Sequence, residues 1–146
     1  MTIMETGWLI FAILSALAAA LVAIFGKIGL EGIDANTATM IRAGIMFAVL
    51  VLVVLFTGNV GQVSKIFADQ NALFYIFLSG LAGAASWLFY FMALKLGKAT
   101  QVVPIDRLSI VFVIIFAFLI LGEKITERVA IGTALMAVGA ILVVLG

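Results

Sequence analysis

Asp106 and Arg107 stand side by side between Pro104, the chain's one proline, and an apolar run from Ile110 to Leu121. A carboxylate in apolar surroundings can take up and release a proton near neutral pH. Asp106 is therefore read as a proton-coupling group or as a contact for a cationic solute. The alternative is a structural ion pair. Neighbours on a helix point about 100° apart, so Arg42 fits as a partner of Asp106 better than Arg107 does. Arg42 and Arg107 could each hold an anionic or carboxylate group. Arg42 stands near the start of an apolar run, where a long side chain can also snorkel to the interface. Ser86, Trp87 and Tyr90 lie close together in a third apolar stretch. They could line a solute cavity, the rings offering faces to organic cations, or they could simply pack. Pro104 removes a backbone donor and would free the carbonyl near Thr100. Its alternative role is to shape the start of a helix.

These residues have to be carried by membrane helices. The 146-residue chain is 66% hydrophobic and 10% charged, where a soluble domain is nearer half apolar and a quarter charged. One core could not hide that much apolar surface, so the natural solvent is a bilayer. The net charge of +1 gives no field for nucleic acid. There are no cysteines and no histidines. That removes disulfides, thiolate chemistry, the commonest metal ligand and the usual proton shuttle. No cofactor and no metal are expected. With no serine beside an evident base and no paired acids, the chain is not read as an enzyme. No charged ring or filter motif suggests a channel.

A bilayer-spanning helix needs roughly 20 apolar residues, and five segments meet that requirement, at about 8–28, 37–56, 73–96, 99–121 and 126–146. The first lacks a basic n-region, because residues 1–7 carry Glu5 and neither Lys nor Arg. It is read as a retained helix and not as a cleaved leader. Ala12, Ala16, Ala19, Ala20, Ala23 and Gly26 give it a small-residue stripe suited to close helix packing. Asp34 or Asn36 would cap the second segment. Between the second and third, residues 58–71 are polar, with room for a short interfacial helix around Val63 to Phe67. The third segment carries Ser79, Gly83, Ser86 and Tyr90 on one helical stripe. Glu123 is expected to cap the fifth or to pair with Lys124 or Arg128. Residues 1–146 form a single domain of this all-α, five-helix membrane bundle. Five crossings put the termini on opposite sides. Lys65, Lys124 and Arg128 then face Lys27, Lys95 and Lys98, with Arg42 if it snorkels. That near balance of Lys and Arg does not fix one orientation.

With the segments placed, the chain resembles the EamA family of the drug/metabolite transporter superfamily. Phe25-Gly26-Lys27-Ile28-Gly29 closes the first helix and Arg42 lies early in the second. Ser86-Trp87-Leu88-Phe89-Tyr90-Phe91-Met92-Ala93-Leu94 lies in the third, with Gly97 after it. Val103-Pro104-Ile105-Asp106-Arg107-Leu108-Ser109 lies in the fourth. Gly122-Glu123-Lys124 follows, and Gly132 and Gly139 pattern the fifth. The run from Pro104 to Ser109 looks most like the short, single-repeat prokaryotic members. Larger members hold two such repeats of opposite orientation. The resemblance therefore implies a homodimer, antiparallel in its simplest form, in a prokaryotic inner membrane. It also implies export of a small organic solute (an amino acid, metabolite or drug-like compound) by alternating access. The reading from a different class is a non-transporting accessory or scaffold subunit. The small-residue stripes would serve that equally well.

Overall fold

The computed structural model describes residues 3–146, with side chains from Gly7 onward. Every regular element among the described residues is helical. In chain order they are α1 (Ile3–Gly29), α2 (Ala35–Phe56), α3 (Val60–Ala68), α4 (Gln70–Leu96), α5 (Ala99–Asp106), α6 (Ser109–Phe116), a π-helical turn (Ala117–Leu121) and α7 (Glu127–Leu145). Five stretches are long and apolar enough to cross a bilayer: Gly7–Gly29, Ala35–Phe56, Gln70–Leu96, Ala99–Leu121 and Glu127–Leu145. These are the five expected spans, each within a few residues. The third is the least apolar, with a mean hydropathy of 1.7 against 2.2 to 2.7 for the others. That agrees with the polar stripe read along it. Large apolar side chains lie open along all the spans; Phe47 is 71% exposed and Leu119 69%. Lipid tails accept such a surface at no cost in hydration, whereas water would not.

The boundaries follow from local hydrogen bonding. Asp34 caps α2, its carboxylate accepting from the Thr37 N–H at 2.8 Å and from the Thr37 hydroxyl at 2.9 Å. Those two donors, the N–H first, hold the Asp34 carboxyl below the usual carboxylate range. α4 begins three residues before the expected Leu73. The Asp69 carboxylate accepts from the N–H groups of Asn71 at 3.1 Å and Ala72 at 3.0 Å, which satisfies two orphan donors of its first turn. α7 is capped by the Thr126 hydroxyl, which accepts from the Val129 N–H at 3.4 Å. The cap expected from Glu123 is thus corrected. Glu123 lies three residues too early, and its backbone N–H donates to the Ala117 carbonyl at 3.1 Å, closing the π turn. That closure needs the chain to reverse at Gly122, whose φ of +68° only glycine adopts freely. The short helix expected in the polar stretch after α2 is α3.

The chain packs as two compact units. One joins the stretch up to Lys27 with Leu96–Gly146; the other is Ile28–Lys95. In the first, α7 packs against α5 and α6. Ala23 and Ala140, from the stripes of small residues, are buried. The Lys27 ammonium donates to the Gly97 carbonyl at 2.7 Å, tying the end of α1 to the residue that follows α4. In the second unit Leu30, Ala35, Thr39, Phe91 and Leu94 are buried. The Thr39 hydroxyl returns to the Ala35 carbonyl at 2.7 Å, so a buried polar group stays satisfied inside its own helix.

Candidate functional site

Arg42 is the eighth residue of α2, roughly 10 Å along the axis at 1.5 Å per residue. A guanidinium stays charged at any accessible pH and is costly at membrane depth without a partner. α4 supplies the partner. The Arg42 guanidinium carbon lies 3.4 Å from the centroid of the Trp87 ring and 4.6 Å from that of Phe91. The delocalised cation thus rests on two π faces, a contact worth about 0.5–2 kcal/mol. Arg42 does not run out along α2, as snorkelling would have it; it crosses to α4.

The rings are themselves fixed by one another. Trp87 and Tyr90 meet edge to face, with centroids 5.9 Å apart and planes at 84°. Phe91 lies 5.9 Å from Trp87 and 5.8 Å from Tyr90. Three residues and four residues are the spacings that put side chains on one helical face, so the sequence from Trp87 to Phe91 dictates the cluster. Phe91 is only 3% exposed and anchors it. Sequence reasoning passed over Phe91 as a site residue, although it stands one turn after Trp87. Ser86 is exposed on α4, one residue before the cluster.

One atom of this arrangement is unmet. The Arg42 Nε is buried and has no hydrogen-bond partner among the described residues. A buried donor without an acceptor costs about 1–3 kcal/mol, and more when charged. The acids of this unit are Glu31, Asp34 and Asp69. None stands within α2 or α4. Asp34 and Asp69 are engaged at the helix starts described above.

The fourth span is built differently. α5 ends at Asp106, and Arg107 and Leu108 form a turn before α6. Backbone bonds tighten there from the i−4 to the i−3 pattern. Leu108 N–H donates to Ile105 at 2.9 Å, Ile110 to Arg107 at 3.2 Å and Val111 to Leu108 at 3.0 Å. Arg107 has φ −69° and ψ −10° and Leu108 has φ −63° and ψ −14°, values of a 3₁₀ turn. Asp106 and Arg107 are both exposed at this break. Pro104 lies inside α5. Its missing N–H leaves the carbonyl four residues back, at Thr100, without a helical donor. The break itself falls on the other side of the proline, which its ring does not account for. Past α6 the helix widens into the π turn, a feature frequent at functional sites. The structure thus brings Arg42, Trp87 and Tyr90 together in the second unit. It sets Asp106 and Arg107 at the interrupted backbone of the first.

Comparison with known proteins assigns these features to a family. The model of the EamA-like transporter family matches residues 6–145. A Sinorhizobium sp. protein, named as an uncharacterized transporter in the cobO 3'region, is 45% identical over 139 residues, which is 95% of this chain and 97% of that one. No solved structure matches. With the match running through all five spans, the chain belongs to the EamA-like transporter family.

Proposed function

We propose that this multi-pass membrane transporter is a secondary carrier that exports a small organic solute by alternating access as a homodimer. The observation that carries the proposal is the fourth span, interrupted at Arg107–Leu108 with Asp106 beside the interruption. Irregular backbone at membrane depth is tolerated where it lines a cavity or is covered by protein. Discontinuous helices mark substrate and ion sites in many carriers, where two inverted repeats enclose the site. One copy of this chain holds five spans, and a second copy in the opposite orientation would complete such a pair. The near balance of Lys and Arg between the two sides supports insertion in both orientations. Asp106 is the acid that stands well inside a span, so it is the group to which proton coupling is assigned. The solute is an amino acid, a metabolite or a drug-like compound, and the membrane is the prokaryotic inner membrane.

The test is counterflow in proteoliposomes, with a panel of labelled amino acids and metabolites. Uptake against a matched internal pool is the expected result. No counterflow of any panel member would instead support an accessory subunit. Tags on both termini give the second measurement. Each tag reached from both sides of the membrane is expected; each confined to one side sinks the antiparallel dimer.

A further inference from the structure

We propose that Arg42 is the anion-recognition point of the solute site and that the transported solute carries a carboxylate. This rests on the carrier reading above and narrows it. Four observations converge. The guanidinium is stacked, at 3.4 Å on Trp87 and 4.6 Å on Phe91. Stacking engages its face and leaves its N–H donors in the plane, directed sideways. A planar carboxylate accepts two parallel bonds from such an edge. The Nε donor is buried and unmet. Within this unit no acid stands in α2 or α4 to meet it. Finally, one face each of Trp87 and Phe91, where an organic cation would stack, is already taken by a cation of the chain itself. A second positive charge would be repelled there, whereas a negative one is attracted to the guanidinium. The rings of Trp87, Tyr90 and Phe91, held by one another, give the apolar flank beside which a small organic acid would lie.

The experiment reads the indole directly. The chain has two tryptophans, so Trp8→Phe leaves Trp87 as the sole reporter, one residue type in contact with Arg42. The purified protein in lipid nanodiscs is titrated with butyrate, phenylacetate and leucine, and in parallel with butyramide, phenylacetamide and leucinamide. A saturable change in Trp87 emission is expected for at least one carboxylate, with its amide at least about tenfold weaker, as loss of a charged partner implies. Arg42→Lys, which keeps the charge but loses the planar fork, should weaken the response about tenfold; Arg42→Met should abolish it. If Arg42→Met does not fold, the amide comparison and Arg42→Lys still decide. Equal responses to acid and amide, no response to any of the three acids, or a response indifferent to Arg42→Lys would each overturn the proposal. Flux in the same protein separates the two claims. Carboxylate binding without flux keeps this site and sinks the carrier reading. Flux of a solute lacking a carboxylate, unaffected by Arg42→Lys, keeps the carrier and sinks this site.

Discussion

Arg42 and Asp106 are both charges carried inside membrane spans, and the chain accommodates them in opposite ways. Arg42 stands in an unbroken α2 and is laid against the rings of an unbroken α4. Asp106 ends a helix, and the backbone beside it shifts to i−3 bonding. The first arrangement is a rigid wall, because three rings at contact distance fix one another and fix the cation. The second is a weak point. A stretch that lacks regular i−4 bonds opens at lower free energy than an intact helix does. In a carrier that must both recognise and move, a stationary charge suits recognition and a charge at a backbone break suits coupling to movement.

The sharpest way to break that comparison is to neutralise the charge at the backbone break. Asp106→Asn keeps the shape and removes the carboxylate to which coupling is assigned. Transport driven by a proton gradient should fall about 10- to 100-fold, as expected for loss of a charged hydrogen-bonding group. Unimpaired transport would remove Asp106 from the mechanism. Trp87→Leu attacks the wall instead. It should lower unfolding stability in detergent by about 2–3 kcal/mol, combining lost ring packing with loss of the cation's support. In a double-mutant cycle with Arg42→Met, about 1–2 kcal/mol of that should prove to be coupling between the two; additive losses would mean that the 3.4 Å stack contributes nothing. A smaller effect belongs to the cap of α2. The Asp34 carboxyl is held low by the Thr37 N–H and hydroxyl. Its folded-state value therefore lies below its unfolded one, so the stabilisation is present above the unfolded value and lost as pH falls through the folded one. Melting temperatures of the native chain and Asp34→Ala should differ at neutral pH and converge in acid. A gap independent of pH would deny the carboxylate its role. The smallest change is expected from Pro104→Ala. It returns a donor to the Thr100 carbonyl, yet amide exchange at residues 108–111 should stay fast, since the break lies beyond the proline. Slowed exchange there would make Pro104 the cause of the break.

The five spans were legible because a bilayer imposes length and apolarity on consecutive residues, and both are written along the chain. Boundaries were legible where one side chain decides them. Asp34 was one of two residues read as the cap of α2, and Asp69 and Thr126 were not read as caps, since several polar residues competed in each loop. The contact of Trp87 with Tyr90 was readable from helical spacing. That Arg42 lies on Trp87 was not, because the contact joins two helices whose facing is a property of packing. The clue was present in weaker form: a permanent cation in α2, with no acid in the spans of its own unit, must find some other partner. Phe91 could have been added from its place one turn after Trp87. The break after Asp106 was not foreseen, because the residue the sequence singles out is Pro104, whose missing donor acts one turn back, at Thr100.

The bond from the Lys27 ammonium to the Gly97 carbonyl has a consequence for how the protein is made. The two residues are 70 positions apart, so the ribosome delivers Lys27 long before its acceptor exists. Until the first three spans have entered the membrane, that bond cannot form. A nascent chain halted before Gly97 therefore lacks this tie on its first helix. Synthesis of the α4–α5 junction supplies the latch that joins the earliest part of the protein to its second half.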